Sequence, residues 1–314
     1  MGGRVRSVIN SKEKQPIELG ASIIYKGNDL VLKIARGAGL TIEEPKTGGT
    51  HLFALYNGRS LVFTQSYYSL ITLIKLLWRY GFDYWRYKQV ALKMFGQFST
   101  IYSRQDAGIS YSRPHDMLRD MQLFDLTQMS FQEFIQESMN GDSLFAREFV
   151  TGVGKTNYGQ STMELNALAG LVSLLPATDG KVVHIAGGNQ QLVTRTLANA
   201  NVTIFTGRPV DSISKIDNQT GRFMINHDKT YDAVVITAPL QVSSHIKFEG
   251  IDLPRIPRRK YERVHVTIVQ GSIRPTLFGL PPGMMPYRES GVFLKRALLF
   301  FLFCNVSRLI FMVC

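Results

Sequence analysis

Between about residue 70 and residue 172 the apolar residues of this chain recur with the period of helices, and on either side they recur with the period of strands. Leu70, Leu73, Ile74 and Leu77 open the helical stretch at i, i+3, i+4, i+7, the spacing of one helix face meant for a core. Breaks fall near Ser110–Pro114 and Asn140–Gly141. Before it, residues 52–63 read LFALYNGRSLVF, two apolar runs around Asn57-Gly58, a strong hairpin signal. After it, KVVHIA (181–186) predicts a strand that ends at Gly187-Gly188-Asn189, followed by a helix to Ala200. VTIF, PVDSISKI, RFMIN and YDAVVITAP then predict four more strands. Ala233–Ala238 is apolar on both faces, as in a strand inside a covered parallel sheet. The pattern is that of an α/β chain whose sheet segments flank a helical block.

Composition narrows the classes further. Hydrophobic residues are 45% of the 314 and charged residues 19%, enough for a sizeable core. The only cysteines, Cys304 and Cys314, exclude a disulfide scaffold and a Cys-ligated metal fold. The six histidines are scattered, so no metal site is expected. A net charge of +12 raises nucleic acid or anionic membrane as partners. Met1–Pro16 contains no apolar run of the signal-peptide kind. Residues 292–314 are apolar but interrupted by Lys295, Arg296, Asn305 and Arg308, and a membrane anchor, an end foreign to the rest, and a buried helix all remain open.

Several motifs fail on inspection. Gly152-Val153-Gly154-Lys155-Thr156 imitates the end of a phosphate loop, but the glycine required five residues before Gly154 is Phe149. Trp78–Lys88 interleaves aromatic and basic residues, as single-strand nucleic-acid surfaces do. Yet Trp78, Phe82 and Trp85 share one helical face that continues the stripe from Leu70, which favours core packing or the wall of an apolar ligand site. The basic cluster Arg255, Arg258, Arg259, Lys260 and Arg263 beside prolines reads as a solvated loop. No nucleic-acid partner is expected, and membrane association is expected to be weak or absent.

Separated pieces resemble one family of enzymes. Gly2-Gly3-Arg4 resembles the GGR segment of flavin-dependent amine and thioether oxidases, and Gly20-Ala21-Ser22 resembles the small-residue turn that touches the flavin there. His184–Asn189, then Pro209-Val210, then Val234–Pro239 follow in the order of the adenine side of that fold. Lys155-Thr156-Asn157-Tyr158-Gly159-Gln160-Ser161 resembles the R-x-NYGQS motif of the prenylcysteine oxidase (prenylcysteine lyase) family, with Lys155 where arginine is usual. Ile74–Phe82 also resembles that family, and the likeness runs from Gly2 to about Phe293 and fades after Gly291.

The resemblance implies an FAD/NAD(P)-binding Rossmann-like flavoprotein fold whose first βαβ unit, with its G-x-G-x-x-G, is missing here. It implies the division 1–65 partial FAD-binding segment, 66–175 helical substrate region, 176–240 adenine-side segment, 241–291 substrate-domain strands and 292–314 atypical tail. The implied cofactor is FAD, contacted by Gly2, Gly3, Arg4, Gly20, Ala21, Ser22, Gly187, Gly188, Asn189, Val210 and Ala238. The implied substrate region holds Asn157, Tyr158, Gly159, Gln160, Trp78, Phe82 and Trp85. The implied reaction uses oxygen and water to cleave the thioether of S-farnesyl- or S-geranylgeranyl-cysteine, giving cysteine, a prenyl aldehyde and peroxide. Flavin N5 takes the hydride, so no catalytic side chain is named and no metal is needed. A lysosomal location is implied, with which sequons at Asn201 and Asn218 agree. The alternative is a non-catalytic member that keeps only an apolar prenyl-binding block. The chain as written is expected to bind FAD poorly and not to turn over, because the glycine-rich turn that holds pyrophosphate is absent from it.

Overall fold

The computed structural model describes residues 2–9, 16–44, 52–57, 60–66, 68–139, 141, 143–179, 181–216, 221–241, 245–256, 261, 267–271, 276, 281–282, 290–294, 303–305 and 308–313. They fall into two compact units, Met1–Ala200 with Val264–Cys314, and Asn201–Arg263.

In the first unit, β1 (Ser7–Ile9) and β2 (Pro16–Glu18) pair antiparallel, with Val8 opposite Ile17. Two short strands, β3 (Ile24–Tyr25) and β4 (Ile42–Glu43), are joined by helix α1 (Asp29–Gly37). The hairpin around Asn57 forms as its sequence dictates, from β5 (Leu52–Tyr56) and β6 (Leu61–Thr64). The Asn57 side-chain oxygen accepts from the Ser60 N–H at 3.0 Å, which closes the turn.

The helical block follows: α2 (Ser69–Tyr80), α3 (Asp83–Asp106), α4 (Pro114–Asp120), α5 (Phe131–Ser138), a π turn over Ala146–Val150, α6 (Thr151–Tyr158) and α7 (Ala167–Asp179). Pro114 opens α4, where a missing N–H costs nothing. A capping box of Ser130 and Glu133 opens α5. Gly159, at φ 69°, ends α6 in the left-handed conformation. The phosphate-loop imitation lies inside α6, where buried Thr156 donates its hydroxyl to the Gly152 carbonyl at 2.8 Å, so no loop exists there to cradle an anion.

Aromatic packing centres this block. Phe145 stacks on Phe149 at 4.8 Å and meets Tyr87 at 5.1 Å and Tyr80 edge-on at 5.3 Å. Phe131 is fully buried, and a Cβ on Gly170 would lie 2.2 Å from its ring, so α5 and α7 touch only because residue 170 has no side chain.

Strand β7 (Val182–Ile185) sits between β3 and β4, antiparallel to both, and leads into α8 (Gln190–Asn199). Three later strands, β12 (Thr267–Gly271), β14 (Phe303–Asn305) and β15 (Arg308–Val313), form a sheet with β15 in the middle, and β13 (Ser290–Leu294) runs parallel to β5. The described part of residues 292–314 is therefore strand, not the buried helix held open from the sequence. Among the described residues no helix is long and apolar enough to cross a membrane.

The second unit is a four-stranded sheet. From β8 (Ser212–Lys215), β9 (Phe223–Ile225), β10 (Lys229–Tyr231) and β11 (Lys247–Glu249) it is built in the order β10-β9-β8-β11, with β8 and β11 parallel. Asn226, at φ 52°, turns the chain between β9 and β10, and its side-chain oxygen accepts from the N–H groups of Asp211 and Ser212.

Three expectations from the sequence need correction. Residues 202–205 and 233–238 are not strands: they pair with no strand in their unit, and Val235 is 85% exposed. Their apolar character is that of a covered strand, but the parallel pair of this unit is made by β8 and β11 instead. The stripe Leu70, Leu73, Ile74, Leu77 does not face the core. Thr72, Leu76 and Tyr80 do, and the stripe points to solvent. Periodicity reports a stripe but not the side it faces, and here the π turn's buried Glu148 draws the opposite face of α2 inward.

Candidate functional site

Four stretches far apart in the sequence meet in the first unit. Gly2 and Gly3 turn with φ of 109° and 50°, which side chains rarely tolerate, and the Val5 N–H donates to the Gly2 carbonyl at 2.8 Å. This turn lies against Gly20: a Cβ there would sit 2.0 Å from the Arg4 carbonyl oxygen, and the Ala21 N–H donates to that same oxygen at 3.0 Å. Glycine at position 20 is thus a steric requirement. The Arg4 side chain remains exposed.

Asn189 ties the third stretch in. It is 2% exposed, and its amide uses both ends: Oδ1 accepts from the Ile185 N–H at 2.8 Å and Nδ2 donates to the Ala21 carbonyl at 2.9 Å. Its backbone N–H donates to the Glu18 carboxylate at 2.7 Å, and the other Glu18 oxygen accepts from the Ser7 hydroxyl at 2.7 Å. Ser7 and Gln190 bond reciprocally, Ser7 N–H to Gln190 Oε1 at 3.0 Å and Gln190 N–H to Ser7 Oγ at 3.1 Å. Glu18 therefore supplies the negative charge that the N-terminus of α8 attracts. Gly187 and Gly188, at φ 76° and 111°, make the bend that lets Asn189 reach back; a Cβ on Gly188 would come within 2.8 Å of Ser7 Oγ.

The fourth stretch is the end of α6. Asn157 and Tyr158 line a cavity of about 490 Å³ together with Gly20, Ala21 and Ser22. The cavity's long wall comes from α3, with Met94, Phe95, Phe98, Ser99 and Tyr102 on successive turns. Val172, Leu175 and Pro176 of α7 close the other side. The Phe95 ring meets Tyr25 edge-on at 5.3 Å and crowds Gly27, where a Cβ would be 2.3 Å away. The Asn157 amide donates to the Ser173 carbonyl at 2.8 Å, pinning α6 to α7 at the cavity. Burial pushes the Tyr158 phenol above its ordinary value, so it stays a neutral donor at physiological pH. The lining is mostly apolar, with Ser22, Asn28, Ser99, Tyr102, Asn157, Tyr158 and Ser173 as its polar residues.

The remaining sequence-expected residues lie elsewhere. Gly159 and Gln160 form the turn after α6, where Ser161 donates from both its N–H and its hydroxyl to Glu164. Trp78 and Phe82 do not line this cavity; they are 88% and 75% exposed at the end of α2, with Trp85 6.1 Å from Phe82. Val210, Ala238 and Asn201 belong to the second unit, Ala238 and Asn201 exposed and Val210 half-buried, and Asn218 lies outside the described residues. What sequence reasoning missed is the α3 wall and Tyr25. Phe95, Phe98 and Tyr102 carry a helical spacing that a reader can find, but it does not distinguish a cavity wall from core. Among the described residues no group of three acidic, His or Cys side chains could hold a metal ion.

A family model described as prenylcysteine lyase matches residues 63–308, more than three quarters of the chain. The chain belongs to the prenylcysteine lyase family. The match runs past Gly291, so the likeness does not end where the motifs do. Mouse prenylcysteine oxidase 1 is 28% identical over 299 residues, covering 90% of this chain and 58% of that protein. Arabidopsis farnesylcysteine lyase is 25% identical over 294 residues, covering 89% and 57%. The chain thus spans a little under three fifths of the length of the curated relatives it matches. Among solved structures, a triple mutant of putrescine oxidase superposes with a TM-score of 0.59 at 15% identity, covering 100% of this chain and 67% of that one. Cyclohexylamine oxidase from Brevibacterium oxydans gives 0.56 at 14% identity. These likenesses assign the fold, the Rossmann-like flavoprotein fold of the amine oxidases.

Proposed function

We propose that this family member takes part in oxidative cleavage of S-prenylcysteine thioethers with FAD as cofactor, and that the cavity between Gly20–Ser22 and α3 receives the prenyl chain. The observation that carries the reading is the shared cavity: the small-residue turn and the Asn157-Tyr158 motif border the same apolar space, which has a volume usual for a small-molecule site. The names of the relatives supply the substrate class.

The residues present fit a flavin. Gly20 and Ala21 bring backbone without bulk to the cavity, and Arg4, whose carbonyl lies against them, has an exposed side chain of the kind that suits phosphate oxygens. When bound, the flavin supplies the hydride acceptor. The chain's own contribution is placement and exclusion of water. Phe95, Phe98 and Tyr102 contact an isoprenoid without asking for hydrogen bonds, while Asn157, Ser22 and Tyr158 supply donors for the cysteine end. Cysteine, prenyl aldehyde and peroxide as products, breakdown of prenylated proteins as the setting, and the lysosome as the place belong to this proposal as well.

The test is to purify the chain with added FAD, record its visible absorbance, and follow peroxide release from S-farnesylcysteine. Flavin bands and peroxide support the reading. A colourless protein that still binds S-farnesylcysteine supports the non-catalytic alternative, and a protein that binds neither overturns the assignment of the cavity.

A further inference from the structure

The cavity beside α3 is open at one part of its wall and closed at another. Gly20 and Ala21 are exposed and Tyr158 is 42% exposed, so the space opens beside them. Met94, Ser173 and Leu175 are 2%, 1% and 4% exposed and form its floor. Next to Met94 on α3 stands Phe95, whose ring meets Tyr25 edge-on with centroids 5.3 Å apart. A Cβ added to Gly27 would lie 2.3 Å from Phe95 Cζ and 2.7 Å from Tyr25 Cε1. Both rings therefore reach in to the glycine backbone and leave no gap between them and it.

The space so bounded is finite. A hydrocarbon carbon with its hydrogens occupies about the 30 Å³ that a water molecule takes in its liquid, so a cavity of 490 Å³ holds about sixteen of them. A farnesyl chain has fifteen carbons and a geranylgeranyl chain has twenty. Among the described residues the lining holds no charged side chain, so burial of apolar carbon is what a hydrocarbon chain gains there.

We propose that Phe95, braced by Tyr25 over Gly27, sets the isoprenoid length this site accepts, with the limit at farnesyl. Three isoprene units find apolar wall and a fourth does not. The inference rests on the reading that the cavity receives the prenyl chain. Each unit added within the limit strengthens binding, and one added past it contributes nothing. The stop can be moved in both directions. Removing the Phe95 ring opens the space it fills against Tyr25 and Gly27, while a methyl group on Gly27 displaces both rings and takes up room at that end.

The experiment is calorimetric titration of the full chain, with FAD added, by S-geranyl-, S-farnesyl- and S-geranylgeranyl-cysteine below their micelle concentrations. Affinity of the wild type should climb at least tenfold from geranyl to farnesyl and change less than twofold from farnesyl to geranylgeranyl. Phe95→Ala should restore a tenfold step to geranylgeranyl, and Phe95→Leu a smaller step in the same direction, which carries the test should the alanine variant not fold. Gly27→Ala should weaken farnesyl at least tenfold and leave geranyl unchanged. Equal steps for both extensions in the wild type overturn the proposal while leaving the cavity as the prenyl site. So does a Phe95 variant that weakens all three ligands by one factor, because the ring is then plain wall and no stop. Binding of none of the three overturns the reading of the cavity itself, and this inference with it.

Discussion

The junction around Asn189 and the block around Phe145 both hold together stretches that are distant in sequence, and they do it with opposite chemistry. The junction joins residues near 7, 18, 21 and 189 almost wholly through hydrogen bonds between side chains and backbone, with strands of two to four residues. The block joins six helices and a π turn through aromatic rings and fully buried aliphatic side chains. Apolar packing is nondirectional and tolerates small shifts, while the junction's bonds need each donor within about 3 Å of its acceptor. The comparison teaches where each property resides: stability in the block, and the exact position of backbone beside the cavity in the junction.

That division can be broken by substitution. Phe131→Ala should cost most, about 3–5 kcal/mol, because it empties a site closed on one side by Gly170. Thermal or urea unfolding reads it, and Gly170→Ala combined with Phe131→Leu should be less damaging than the two single effects added together. Glu148→Ala should come next, at about 3 kcal/mol, since it leaves Arg79 and the Tyr80 hydroxyl without their carboxylate. Burial and the neighbouring carboxylate hold the Tyr80 phenol well above its ordinary value, so it donates across the whole working pH range.

In the junction the cost should be smaller and the consequence more local. Asn189→Ala removes one donor and one acceptor from buried partners, about 1–3 kcal/mol. Hydrogen exchange should rise at Ile185 and around residues 18–21 while the helical block stays protected. If exchange instead rises uniformly through α3 and α7, the two regions are one cooperative unit and the comparison fails.

The smallest effect concerns acid. The capping bonds from Ser130 hold the Glu133 carboxyl below its ordinary value, and Ser161 does the same for Glu164. A carboxyl whose folded value is depressed contributes stability above its unfolded value, near 4.5, and loses that contribution as pH falls through the folded one. The difference in melting temperature between wild type and Glu133→Ala should therefore narrow as pH drops below that range.

How much of this was legible in the sequence follows from the same contrast. The meeting of residues 2–4, 20–22 and 187–189 was accessible only through motif likeness, because strands this short have no usable periodicity. The helical block was plain from its period, and the hairpin at Asn57 from its turn residues. What periodicity could not say was which way α2 faces, since Leu70, Ile74 and Trp78 form the same stripe inside or out. Glu148 decides that, and a lone glutamate in LFAREFV carries no sign of burial. The α3 wall stayed hidden for a related reason: Phe95, Phe98 and Tyr102 look like core until the space in front of them is seen. Residues 202–205 and 233–238 mark the remaining failure, apolar enough for covered strands yet paired with none in their unit.

The central claim is that the prenyl chain lies along α3 and not on the exposed apolar face of α2. A photoreactive S-farnesylcysteine carrying a diazirine at the end of its isoprenoid, irradiated with the purified chain and mapped by peptide mass spectrometry, tests this directly. Label on residues 94–102 or 172–176, competed by unlabelled S-farnesylcysteine, is the result the account predicts. Competed label on residues 68–82, with none in the cavity, would contradict it.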